Sequence, residues 1–337
     1  MKNRYLSQIV FPEIGEEGQE KIKNAKVIVI GCGALGCAIT NNLVRAGIGK
    51  IKIVDRDLVE IGNLQRQILY DEEDVRERIP KSIAAKRKLE KINSEVKIEA
   101  IVSDVNYKNI EDLIKDCDIV LDGTDNFETR FLINEACVKH EIPWIYGAVI
   151  GGAGSTTTII PEKTPCLRCI IEEIPSPGNL PTCDTLGVLN TIPAAIASIQ
   201  TTEALKIILE NKNLNNDLIL IDLWSSSWEK IKIERKKNCP VCVKKKYIFL
   251  EGEETSHATS LCGRNAVQIV PQKRSQISFK KLEEKLKHLG KVKYNEFVLS
   301  FKTGDYELIV FPDARVIVKG TTDISIAKTL YAKYLGI

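Results

Sequence analysis

The chain reads as an α/β protein: a largely parallel sheet with helices on both faces, a C-terminal half of that domain stapled by a metal, and a small α+β unit at the end. Three observations predict this. Short apolar runs without polar alternation recur between helical stretches, as strands buried on both faces require. A glycine-rich turn, GCGALG, follows the first of them. Two CxxC pairs, Cys166 and Cys169 in CLRC and Cys239 and Cys242 in CPVC, stand far apart in the chain. Paired knuckles supply the four thiolates of a tetrahedral structural zinc, and their separation lets the metal pin distant segments together.

In order, EEGQEKIKNA after Ile14 is helical and hands over to a continuous apolar strand, Val27 to Ile30. Beyond the glycine turn, Ala34 to Ala46 has helical spacing, Ile51 to Val54 is a second buried strand, and Lys81 to Ile92 is a lysine-rich amphipathic helix, which completes a βαβ unit. Strands are expected at Val96 to Ile101, Ile119 to Leu121 and Pro143 to Ala148, each separated by a helical stretch. The glycine-rich GAVIGGAGSTTTII leads through a threonine and isoleucine strand to the first knuckle. A proline-rich loop, IPSPGNLPTCDT, carries Cys183 and precedes a long helix, Ile192 to Leu209, whose all-round hydrophobicity predicts burial. Asp217 to Leu223 and Trp228 to Glu234 read as paired strands before the second knuckle.

The charged stretch KKKYIFLEGEETSH marks a boundary, so the expected domains are 1–250 and 256–337. The second unit reads as a strand from Ala266 to Val270, a helix from Phe279 to Leu289, three strands ending near Lys319 and a last helix from Ile324. Thr303-Gly304-Asp305 and Pro312-Asp313 supply its hairpin turns.

Composition excludes several classes. With 48 basic and 45 acidic residues interleaved, the net charge is +3, which implies no extended surface for nucleic acid or anionic lipid. No apolar run is long enough to span a bilayer. Of ten cysteines, Cys32, Cys37, Cys117 and Cys137 lie in apolar segments, and the N-terminus lacks the apolar core of a signal peptide. A reducing cytoplasmic setting is the expectation.

Gly31, Gly33 and Gly36 let the backbone turn sharply and approach phosphates at a helix N-terminus. Asp55 ends the second strand where a carboxylate meets ribose hydroxyls, so this Rossmann-like half suits an NAD-dependent oxidoreductase equally well. Three further segments favour another chemistry: NLQRQ at Asn63 to Gln67, Pro80-Lys81, and GTDN at Gly123 to Asn126. A triphosphate carries more charge than a dinucleotide pyrophosphate. A converging arginine, lysine and metal-binding aspartate would offset that charge and favour nucleotidyl transfer over hydride transfer.

The ordered set of GxGxxG, DxDxVxxxNLQRQ, PK, DGTDN and paired CxxC, from about Arg4 to Lys245, resembles the ThiF/MoeB/HesA family, bacterial relatives of ubiquitin-activating enzymes. The resemblance implies a homodimer that uses ATP and magnesium to adenylylate the C-terminal glycine of a ubiquitin-like sulfur carrier ending in Gly-Gly, with release of pyrophosphate. By position it places Gly31, Gly33, Ala34, Leu35 and Gly36 in the phosphate turn, Asp55 on the ribose, and Asn63, Arg66 and Lys81 on the phosphates. Gln67 joins that nucleotide site, Asp125 becomes the magnesium ligand and Asn126 lies beside the nucleotide. The four knuckle cysteines would hold a zinc with no open position, hence a structural one.

The implied catalytic set is Arg66, Lys81, Asp125 and Cys183, the last because a matching cysteine in the ThiF branch links covalently to the carrier. Cys183 precedes a long helix whose N-terminus favours a thiolate, although Asp184 opposes it. Two departures stand out. The family's RYxRQ opening places an arginine in the partner subunit's site, whereas this chain has RYLSQ with Ser7 there, and Ala34 replaces a usual glycine. The ending, SLCGRNAVQI through GTTDISIAKTLYAKYLGI, resembles an extension of ThiF-like proteins; Cys262 within it reads as a small buried hydrophobe rather than a persulfide acceptor. The expected function is therefore activation of a ThiS-type carrier of thiamine biosynthesis, with a sulfur donor protein as a further partner. The alternatives are MoeB-type activation of the molybdopterin synthase small subunit, an oxidoreductase, or a carrier-binding scaffold with weak chemistry.

Overall fold

The computed structural model describes residues 4–173, 185–253, 258–261, 265–271 and 276–335. Chain packing forms two compact units, Met1–Glu254 and Thr255–Ile337. In the first, α1 (Leu6–Ile9) and α2 (Gly15–Asn24) precede β1 (Lys26–Ile30), α3 (Ala34–Ala46), β2 (Lys50–Asp55), α4 (Glu72–Arg76) and α5 (Lys81–Ile92). Then follow β3 (Lys97–Val102), α6 (Ile110–Ile114), β4 (Ile119–Asp122), α7 (Phe127–Lys139), β5 (Trp144–Ile150) and β6 (Ala153–Ile159). The unit closes with α8 (Leu167–Ile170), α9 (Ile192–Ile208), β7 (Leu218–Asp222) and β8 (Ser227–Ile231).

These strands make one eight-stranded sheet in the order β3-β2-β1-β4-β5-β6-β7-β8. The first five run parallel, and β2, β1, β4 and most of β5 are buried as their apolar runs require, while the edge strand β3 buries only Ile98; the last three each pair antiparallel with the strand before. Register sets the site. Ile30 stands level with Val54 on one side and Asp122 on the other, so Gly31, Asp55 and Gly123 leave the sheet together at one edge. At Gly31 φ is +88°, and a Cβ would stand 2.5 Å from the Gly123 carbonyl oxygen; only glycine fits there. The outermost strand, β8, is exposed at every residue.

The core between the sheet and α7 contains Ile28, Val120, Phe131, Trp144 and all four knuckle cysteines. Helix α9 corrects the expectation of all-round burial. It buries Ile196, Ala197, Gln200 and Glu203 while Ala194, Ser198 and Thr202 are exposed. Alanines raise a helix's apparent hydrophobicity without committing it to the interior, and the small Ser198 and Thr202 between them face water.

The second unit is a six-stranded antiparallel sheet ordered β11-β12-β13-β14-β10-β9, with its own core of Val267, Leu299, Phe301, Leu308, Val310, Val316 and Val318. Its elements are β9 (Ala258–Leu261), β10 (Ala266–Ile269), α10 (Phe279–Leu286), β11 (Lys291–Tyr294), β12 (Leu299–Thr303), β13 (Tyr306–Val310), β14 (Val316–Lys319) and α11 (Ile324–Leu335). Strand β9 was not legible ahead of the structure. Cys183, Asp184 and Cys262 lie outside the described residues. The eight described cysteines are all buried free thiols, and no described helix is long and apolar enough to cross a membrane.

Candidate nucleotide site and metal centre

The glycine turn runs from β1 into α3 with Gly33 as the residue before the first helical turn, Ala34 and Leu35 opening the helix. Gly36 packs so closely that a Cβ would lie 2.0 Å from the Gly31 oxygen. Asp55, at the end of β2, accepts the Cys32 amide at 2.7 Å on one oxygen and the Asp57 amide at 2.7 Å on the other. Burial raises its carboxyl above the usual range, and the Lys81 charge pulls it part of the way back. Lys81 begins α5 behind Pro80; its amide reaches the Asp57 carbonyl at 2.9 Å and its Nζ the Asp57 carboxylate at 3.0 Å. Only 4% of the Lys81 side chain is exposed, so a buried cation stands beside the acids under the turn. Tyr70, unpredicted, donates from its hydroxyl to the Cys32 carbonyl at 2.7 Å and approaches the Lys81 carbonyl at 3.2 Å.

The Gly123–Asn126 loop leaves β4 next to this turn. Asp122 is fully buried and binds the Thr124 amide and hydroxyl on one oxygen and Arg130 Nε on the other, at 3.1 Å. Arg130 also donates to the Thr124 and Gly147 carbonyls, and its guanidinium lies 5.5 Å from both the Phe127 and Tyr146 rings. The loop is thereby clamped, with Asp125 left exposed and Asn126 capping α7 through the Thr129 amide at 2.9 Å. Arg56 donates to Asp104 at 2.7 Å. Burial works against its charge, yet Asp104, Asp57 and Asp125 together hold its pKa above the ordinary value.

The remaining expected residues gather less tightly. The Asn63 side chain is spent inside its own turn, accepting the Glu60 amide at 3.0 Å. Arg66 folds back onto the Gly62 carbonyl at 3.0 Å, and no contact among the described residues ties it to Lys81 or Asp125. Gln67 is buried, with its Nε2 beside Gly33. At the N-terminus, Ser7 is exposed and Arg4 donates to the Ile92 carbonyl at the end of α5.

The four knuckle cysteines form a second centre. Their sulfurs all lie within 4.8 Å of one another, with Cys166 to Cys239 at 3.5 Å and Cys169 to Cys242 at 3.6 Å. Tetrahedral zinc with bonds of about 2.3 Å needs sulfurs about 3.8 Å apart, so the donor set fits. Hydrogen bonds from its fellow cysteines, with burial, push the Cys166 thiol up, whereas the Cys242 thiol is drawn down to about 6 by its hydrogen bonds to Cys166 and Cys169. Helix α7 supports both knuckles: Asn134 accepts the Leu167 amide at 2.9 Å, Glu135 accepts the Phe249 and Leu250 amides, and Phe131 stacks on Phe249. Arg235 donates to the Cys242 carbonyl at 2.6 Å.

Similarity to known proteins agrees with this geometry. Over its whole length the chain is 42% identical to all of the sulfur carrier protein ThiS adenylyltransferase of Bacillus subtilis. It is 38% identical, over 71% of its length and 90% of the relative, to the sulfur carrier protein adenylyltransferase of Thermus thermophilus. Among solved structures, that of Escherichia coli MccB with ATP has a TM-score of 0.63 and 26% identity, covering 72% of this chain and 75% of MccB. The model of the ThiF family matches residues 5–241, a span that holds the glycine turn, Lys81, Asp125, the first knuckle and Cys239 of the second, and the chain belongs to that family.

Proposed function

We propose that this protein uses ATP to adenylylate the C-terminal glycine of a ubiquitin-like sulfur carrier of the ThiS type, ahead of sulfur transfer. A terminal carboxylate oxygen attacks the α-phosphorus, the bond from that phosphorus to the β-bridging oxygen breaks, and pyrophosphate leaves with the electron pair. The acyl-adenylate has a good leaving group where the carboxylate had none. One observation carries the reading: the glycine turn, Asp55, Lys81 and the Gly123–Asn126 loop meet at one edge of three adjacent parallel strands. The names of the Bacillus and Thermus relatives point the same way.

In this site the turn and Lys81 hold the phosphates and Asp55 the ribose, while Asn63 shapes the turn that carries Arg66. Arg66 joins the phosphates by leaving Gly62. Magnesium binds through one or two carboxylates, substrate phosphates and water, and the single exposed carboxylate of Asp125 suits that pattern. The ion supplies neutralisation of phosphate charge when bound. Zinc in the cysteine cluster is structural. The protein works as a cytoplasmic homodimer; with Ser7 uncharged and Arg4 engaged on Ile92, its transition state relies on the cations of one subunit.

ATP–pyrophosphate exchange with ThiS-type and molybdopterin-synthase-type carriers ending in Gly-Gly tests the reading. Exchange with the ThiS type is expected, and exchange with neither sinks it. Cys183→Ala should leave that exchange intact and slow sulfur transfer to the carrier, measured as thiocarboxylate formed per unit time; an unchanged rate makes Cys183 a spectator.

A further inference from the structure

The Cys32–Gly33 peptide is held at both ends of its Cys32 residue. The Cys32 amide donates to Asp55 at 2.7 Å, and its carbonyl accepts the Tyr70 hydroxyl at 2.7 Å and, more weakly, the Cys37 thiol at 3.4 Å. Peptide planarity then settles a third group. In a trans peptide the carbonyl and the following N–H point opposite ways, so a Cys32 carbonyl drawn inward to Tyr70 turns the Gly33 N–H outward. That N–H has no acceptor among the described residues. A Cβ on Gly33 would meet only Gln67 Nε2, at 3.8 Å, so there is open space beside the residue. The outward amide and the first free amides of α3 offer donors to an anion from one side.

Glycine also makes this peptide vulnerable. Without a Cβ, Gly33 accepts positive φ as readily as negative, so rotation of the Cys32–Gly33 peptide costs little once its carbonyl is released. A rotated peptide would present a carbonyl oxygen where the N–H had been and turn attraction for phosphate into repulsion.

We infer that Tyr70 is a positioning residue: its buried hydroxyl latches the Cys32 carbonyl and so keeps the Gly33 N–H aimed at the phosphates of the bound nucleotide. The second contact, 3.2 Å to the Lys81 carbonyl, ties the same latch to the helix that carries the phosphate-binding lysine. Burial holds the Tyr70 phenol protonated, since its pKa is raised well above the ordinary value, and the donor therefore persists across the physiological pH range. This inference rests on the ATP site proposed above.

The test is Tyr70→Phe, which removes one oxygen and keeps the ring. Affinities for ATP and for adenosine are measured by calorimetry on the full-length wild type and variant. The latch predicts that ATP binding weakens about tenfold or more while adenosine binding stays within about twofold, because only the phosphates meet Gly33. Equal losses for both ligands, or no loss for ATP, overturn it, since a general loosening of the pocket would weaken adenosine as well. A second measurement needs no variant: the Gly33 amide proton of the wild type should move downfield in NMR with ATP and stay in place with adenosine. No movement with ATP overturns the latch. If the wild type binds ATP no better than adenosine, the nucleotide assignment itself fails, an outcome distinct from failure of the latch.

Discussion

In the proposed nucleotide site Lys81 is asked to serve stability and chemistry together. A lysine 4% exposed persists only because Asp57 lies 3.0 Å away and Asp55 is near. Lys81→Met should reduce ATP–pyrophosphate exchange by about a hundredfold or more, the scale of losing one electrostatic donor at a transition state. It should also lower the unfolding free energy by about 3 kcal/mol, because the acids are left uncompensated; a melt and an exchange assay on one preparation read both. At this scale the motif spacing revealed part of the site. Gly31, Asp55 and Lys81 were legible because strand ends and Pro80 fix where they emerge. Tyr70 and the Asp122–Arg130 pair were not, since an aromatic after NLQRQ and charges eight residues apart follow no periodicity.

Helix α7 is the element that joins the two centres. Its cap, Asn126, belongs to the nucleotide loop, while Asn134 and Glu135 anchor the segments that carry the knuckles. Burial lifts the Glu135 carboxyl to about 7 despite two amide hydrogen bonds. The folded state thus binds a proton that the unfolded chain has already released between about pH 4.5 and 7. The contribution of Glu135 is largest at low pH and is lost as pH rises through about 7. Between about pH 4.5 and 7, Glu135→Gln should therefore flatten the fall of melting temperature expected of the wild type; parallel curves would refute this. The cysteine cluster makes the second prediction here. Apparent zinc binding energies in such sites are on the order of 10 kcal/mol, so Cys169→Ser should leave less than about one zinc per chain and unfold the knuckle region first. Metal analysis with limited proteolysis checks it.

At the scale of the whole molecule, the fold class could be read because apolar runs and glycine punctuation record how deeply strands are buried. Direction is not recorded: nothing in the threonine-rich run of β6 announces that it reverses against β5, nor anything in β7 that it reverses again against β6. Helix α9 misled for a related reason, as composition counts apolar atoms but not the side they face. The two units have separate cores, and every expected adenylylation residue in the described segments falls in Met1–Glu254. A chain ended after Glu254 should melt cooperatively and retain pyrophosphate exchange within about threefold, well under the tenfold that 1.4 kcal/mol represents. Loss of exchange from a folded truncation would assign the second unit a part in the reaction.

The bare outer strand β8 has one more effect. On the side away from β7 it pairs with no strand among the described residues, and Trp228 stands exposed on it, half of a zipper open to another polypeptide. Crowding during overexpression puts foreign chains against that edge, and the alternating signs of Glu229 and Lys230 are what a stray strand must tolerate before it can stick.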